Sequence, residues 1–205
     1  MTDNPMTDLV RDQLSAGLSV LQAVATDSAI HAALAEAAEA TVAALKAGGK
    51  LMVAGNGGSA ADAQHIAAEF VCRLSADRPA MRAVALTANT SSLTAIANDY
   101  GFERIFARQI EALGQPGDVF MAISTSGASP NILRALERSR AMGIRTIGLT
   151  GSSGGTMAPL CDYCLRISSD VTMHIQEAHL ALEHIFCMIV ERGYFGPEYF
   201  EAPGK

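Results

Sequence analysis

The stretch Leu51-Met52-Val53-Ala54-Gly55-Asn56-Gly57-Gly58-Ser59-Ala60 decides the fold. An uncharged apolar run that breaks into a glycine-rich turn and then into residues of helical spacing reads as a buried strand opening through a loop into a helix. The texture repeats downstream, with apolar runs at 51–54, 83–86, 119–123, 146–149 and 163–167. Runs of this kind, each leading into a helix-length segment, predict an α/β fold: a parallel sheet with helices on both faces. Upstream, residues 8 to 46 read as two Ala-rich amphipathic helices, with inner stripes at Leu14, Leu18, Leu21 and Val24 and at Ile30, Leu34, Ala38 and Val42. Asp27 or Ser28 is placed to cap the second helix, and Gly48-Gly49 to end it. A last helix spans 174–192, with Ile175, Ala178, Leu182, Ile185 and Ile189 as its inner stripe.

The 205 residues suit one domain, and 49% apolar against 18% charged residues can build a core. A net charge of −6 argues against nucleic acid or an anionic membrane as partner. No apolar stretch escapes charge for long enough to span a bilayer, and Asp3, Asp8 and Asp12 occupy the place of a signal peptide's basic and apolar run, so a cytoplasmic location is expected. The four cysteines are too few for a disulfide scaffold, and Cys161-x-x-Cys164, without a second pair, reads as packed thiols.

Open parallel sheets bind ligands beyond the carboxyl ends of their strands. The loop Gly55 to Ala60 fits the dinucleotide pattern G-x-G-x-x-A, yet no carboxylate ends the second apolar run to hold a ribose, which argues against a nicotinamide cofactor. Its glycines still let main-chain N–H groups approach an anion or a polyol. After the third run, Ser124-Thr125-Ser126-Gly127-Ala128-Ser129-Pro130 offers four hydroxyls, with Ser129 placed to cap a helix and Pro130 at its first position. That is a phosphate cradle without the lysine of a nucleotide hydrolase. The loop 150–155 reads as a plain connection.

His65 and Glu69 lie one turn apart on a helix face and suit a divalent metal or an acid/base pair; Asp62, a turn earlier, leaves a surface ion-pair reading open. The last helix carries Gln176, Glu177, His179, Glu183 and His184, several of which are expected to be solvated. Gln176 and His184 are about 12 Å apart along that helix, so a site joining both needs help from packed helices or subunits.

These segments together, Gly55 to Ser59, Asp62 to Glu69, Asn98-Asp99, Ser124 to Ser129 and Ile175 to His184, resemble the phosphoheptose isomerases, which are sugar-isomerase (SIS) domain enzymes. The resemblance covers nearly the whole chain. It implies a five-stranded parallel flavodoxin-like sheet, with 1–47 as an N-terminal helical extension, 48–196 as the SIS domain and 197–205 as a tail. It further implies a homotetramer with sites between subunits and one zinc ion per subunit, held by His65, Glu69, Gln176 and His184. Glu69 and His184 become the acid/base pair, and Ser124, Thr125, Ser126 and Ser129 the phosphate cradle. Asn56, Gly57, Gly58, Asn98 and Asp99 become sugar contacts, with Glu69 and Gln176 also at the substrate. The implied reaction is the conversion of sedoheptulose 7-phosphate to D-glycero-D-manno-heptose 7-phosphate through an enediol, the first step of heptose biosynthesis, which commonly feeds lipopolysaccharide or other surface glycans. Two departures bear on the substrate's distal end: His174 stands where relatives often carry Arg or Lys, and Ala128 where they carry a polar residue. The alternatives are an SIS protein acting on another sugar phosphate and a noncatalytic protein-binding SIS relative.

Overall fold

The computed structural model describes residues 4–75 and 77–196. The tail expected at 197–205 lies outside the described residues.

Helix α1 (Pro5–Thr26) starts where Asn4 Oδ1 accepts the Met6 N–H, with Pro5 at a position that has no partner to lose. Asp27 ends α1 and caps α2 (Ser28–Lys46), accepting from the N–H groups of Ala29 and Ile30 at 2.9 and 3.1 Å. Gly48, at φ +86°, turns the chain out of α2 into β1 (Leu51–Gly55). Then follow α3 (Gly58–Val71), β2 (Ala83–Ala85), α4 (Thr90–Tyr100), α5 (Ala107–Leu113), β3 (Val119–Ile123), α6 (Pro130–Ala141), β4 (Arg145–Thr150), β5 (Tyr163–Arg166) and α7 (Thr172–Phe195). All five expected strands form. The second is shorter than its apolar run: Leu86 lies past its end, its N–H still donating to the Val53 carbonyl at 2.9 Å while its side chain packs in the core with residues of α5 and α6.

The strands are parallel in the order β2-β1-β3-β4-β5, the flavodoxin-like order. β1 and β3 are buried along their whole length, so their side chains alternate between two cores. Leu51, Val53, Val119 and Met121 face α2, α3 and α7. Met52, Ala54, Phe120 and Ala122 face α5 and α6. Gly55 pairs with Ile123, so the glycine loop after β1 and the serine loop after β3 leave the sheet side by side. This is the reversal point of the winding, where such sheets bind ligands.

Two expected stripes are corrected. On α1 the inward face runs through Gly17, Val20, Leu21 and Val24, while Leu14 and Leu18 stand exposed with Met6, Leu9 and Val10. At Gly17 the two helices come close: a Cβ there would lie 2.8 Å from Glu177 Oε2 and 3.3 Å from His174 Nδ1 on α7. On α7 the stripe continues from Leu182 through Phe186 and Val190, which leaves Ile185 exposed and Ile189 half-buried. No single helix among the described residues is long and apolar enough to cross a membrane.

Candidate functional site

Two helices carry the titratable side chains. α3 begins beyond the glycine loop at Gly57, whose φ of +57° fits residues without a Cβ. α7 runs beside α3 in the same direction, so that Asp62 meets Gln176, His65 meets His184, and the Phe70 and Phe186 rings stack. The Nε2 atoms of His65 and His184 are 2.8 Å apart, one ring donating to the other, with the ring planes at 80°. Glu69 Oε1 lies 3.6 Å from His65 Nε2, and its side chain is mostly buried where His65 is open. The structure therefore brings His65, Glu69 and His184 together.

Gln176 takes a different place. Its Nε2 donates to both oxygens of Asp62, at 3.2 and 3.0 Å, and its amide fills the space a Cβ on Gly58 would need. Asp62 is thus no surface ion-pair partner: it is buried, and burial raises its carboxyl above the usual range, against the lowering effects of Gln176 and His65.

Among the described residues, no three His, Cys, Asp or Glu side chains close on one point as a finished metal cage. The donor chemistry nevertheless suits zinc, because two imidazole nitrogens already face each other beside a carboxylate, while the Gln176 amide is held at Asp62, about a turn before His65 on α3. Below them His179 and Glu183, expected to be partly solvated, are buried. Burial pushes the Glu183 carboxyl up to about 8, with the Asp62 charge adding to the effect, and neither of its oxygens has a hydrogen-bond partner among the described residues. The density of polar residues on α7 gave no sign of which ones face the core.

In the serine loop, Gly127 takes φ +62° and folds the chain back so that Ser124 Oγ lies 3.1 Å from Ser129 Oγ and 3.4 Å from Ser126 Oγ. Ser129 occupies the cap position of α6, but its hydroxyl turns to Ser124 instead of capping, which corrects the sequence expectation. The hydroxyls therefore converge on one another. Loop 150–155 is also more than a connection, since Gly151 N–H donates to the Thr125 carbonyl at 3.0 Å and a Cβ on Gly127 would lie 2.4 Å from the Gly154 carbonyl. It braces the serine loop from behind.

Asn56 leaves the glycine loop to form a two-way amide pair with Asn131 on α6, at 3.0 and 2.8 Å. This tie between the two strand-end loops was missed in the sequence; the position of Asn131 directly after Pro130 was the available signal. Asn98 and Asp99 stand exposed at the end of α4 and hydrogen-bond each other at 2.7 Å, apart from the cluster on α3 and α7. Cys161 and Cys164 are free thiols in contact, where the hydrogen bond from Cys161 lowers the Cys164 pKa.

The SIS domain family profile matches residues 16–151. Over 190 residues the chain is 47% identical to the phosphoheptose isomerase of Aneurinibacillus thermoaerophilus, covering 93% of this chain and 96% of that protein. It is 48% identical over 196 residues to the phosphoheptose isomerase of Burkholderia pseudomallei strain 1710b, covering 96% and 100%. The solved structure of a phosphoheptose isomerase from Neisseria gonorrhoeae superposes with a TM-score of 0.85 at 38% identity, over 91% of this chain and 98% of that one.

Proposed function

The chain belongs to the SIS-domain family of phosphoheptose isomerases and is an aldose–ketose isomerase of the heptose pathway, and from that premise we propose its substrate and its catalytic groups. The substrate is sedoheptulose 7-phosphate and the product D-glycero-D-manno-heptose 7-phosphate. The observation that carries the reading is the 2.8 Å approach of His65 and His184 beside the carboxylate of Glu69, on helices that flank the strand-end loops.

A ketose becomes an aldose when a proton leaves C1, a proton arrives at C2, and the oxygens on C1 and C2 exchange roles as hydroxyl and carbonyl. That requires a base at carbon, a proton carrier at oxygen and a stabiliser of negative charge. Glu69 takes the C1 proton and returns one to C2, because a carboxylate with little solvent around it has few competing donors. His184 moves a proton between the sugar oxygens, since an imidazole ring carries one nitrogen that can accept a proton and one that can donate it. His65, Glu69, Gln176 and His184 would hold the zinc ion, whose contribution when bound is Lewis-acid polarisation of a sugar oxygen. A carboxylate has two oxygens, so a ligand role on one leaves Glu69 a lone pair for the proton.

Ser124, Thr125, Ser126 and Ser129 take the phosphate. Asn56, Gly57 and Gly58 line the sugar, with Asn98 and Asp99 as further contacts. The homotetramer is carried over from the family resemblance; the exposed apolar row Met6, Leu9, Val10, Leu14 and Leu18 on α1 supports self-association, because contiguous apolar faces are normally covered. A cytoplasmic site of action and a place upstream of lipopolysaccharide complete the reading.

The test is an isomerase assay with sedoheptulose 7-phosphate, with added zinc and with chelator. Turnover that depends on zinc supports the reading. A folded, zinc-loaded protein without turnover on this substrate overturns it and directs the search to other sugar phosphates.

A further inference from the structure

One buried cation outside the site is tied to it through the main chain. Arg78 and Glu191 have fully buried side chains, and Arg78 Nε donates to Glu191 Oε1 at 2.8 Å. The rest of the guanidinium is spent on the end of α3. Nη2 donates to the carbonyl of Glu69 at 2.6 Å, and Nη1 to the carbonyls of Phe70 at 2.6 Å and Pro79 at 3.0 Å. Glu69 and Phe70 lie in the last turn of α3, where a helix leaves its carbonyls without internal partners. A planar fork held there satisfies them and complements the negative end of the helix dipole.

The other half of the pair is anchored to the chain that follows α3. Glu191 accepts from Ser75 Oγ at 2.6 Å and from the N–H groups of Ser75 and Leu74 at 3.3 and 3.4 Å. Glu191 lies on α7, two turns beyond His184. A short path thus runs from the Glu69 carbonyl through Arg78 and Glu191 into the helix that carries His184. A buried ion pair is a weak source of net stability, because desolvation offsets much of its attraction. Fixing two helices in register is what this geometry does well.

We propose that Arg78 and Glu191 are positioning residues: a clamp at the ends of α3 and α7 that sets where Glu69 stands relative to His184. The inference rests on the acid/base assignment above.

The test compares zinc-loaded wild type with the double variant Arg78→Met/Glu191→Leu, which leaves no uncompensated buried charge, and with Arg78→Lys, which keeps the charge but not the fork. Each is assayed well below its melting temperature for kcat and KM separately, and its crystal structure is determined. A misplacement of about 1 Å costs on the order of 100-fold in rate, so kcat of the double variant should fall by about that factor with KM nearly unchanged. Arg78→Lys should fall about tenfold, and Glu69 should be displaced from His184 in both crystal structures. Wild-type kcat, or an undisplaced Glu69, in a folded variant overturns the clamp. If the double variant does not fold, Arg78→Lys alone decides by the same two readouts. An inactive wild type would sink the isomerase reading instead, because the crystal structures report on the clamp without substrate.

Discussion

Gln176 Nε2 donates to both carboxylate oxygens of Asp62, at 3.0 and 3.2 Å, across the seam between α7 and α3. This contact fixes which end of the amide is free: with the nitrogen held by Asp62, the oxygen is the atom left for a cation. In the proposed site Asp62 would therefore orient a zinc ligand without being one. Asp62→Asn, which presents a donor as readily as an acceptor, should weaken zinc binding by about 10- to 100-fold, as loss of an outer partner usually does. Competition against a chelating dye measures it, and an unchanged affinity would remove Asp62 from the site.

A side chain at Gly58 would have to displace Gln176, because a Cβ would stand 2.4 Å from the Gln176 amide. The position is the first of α3 and its φ is not in the left-handed region, so the backbone itself accepts alanine. Gly58→Ala should keep or raise the melting temperature while turnover falls by about 100-fold through displacement of Gln176. Equal activity in the two proteins would show that Gln176 has freedom to move.

His179 is fully buried and faces the Thr150 carbonyl at 3.3 Å; burial holds its pKa down at about 4, partly opposed by that carbonyl. An unfolded histidine titrates near 6.5, so between those values the unfolded chain binds the proton and the folded chain does not. Its contribution is present above pH 6.5 and is lost as pH falls toward 4, by roughly 3 kcal/mol. Urea unfolding of wild type and His179→Gln across pH 7 to 4.5 should give a shallower acid loss in the variant. Parallel curves would contradict the burial of a neutral imidazole.

The apolar row on α1 sets an assembly prediction. Leu14→Glu together with Leu18→Glu places two charges at exposed positions, so the fold should persist while the proposed homotetramer dissociates. Sedimentation velocity reads the mass directly. A variant that sediments like wild type would show that this face is not the interface.

Much of this was legible in the sequence where one local rule decided the outcome. The uncharged run at 51–54, ended by a glycine turn, read as the buried strand it forms, and Asp27, one of the two cap candidates, caps α2. His65 and Glu69 share a face because four residues make about one turn. What was hidden depended on partners far along the chain. Leu14 and Leu18 looked inward by spacing, but it is the face of Gly17, Val20, Leu21 and Val24 that packs inward, with Gly17 close against α7. Arg78 and Glu191 are 113 residues apart, and nothing local announces that they meet. His179 and Glu183 differ from His184 only in which side of α7 they occupy, a matter settled by packing against the sheet.

The most direct measurement of the central claim, proton transfer by Glu69 and His184 through an enediol, is isomerisation in heavy water with the product examined at C2. The account predicts deuterium at C2 of the aldose made by wild type, and turnover reduced by several orders of magnitude in Glu69→Gln. Product carrying only protium at C2, together with undiminished turnover in Glu69→Gln, would contradict it.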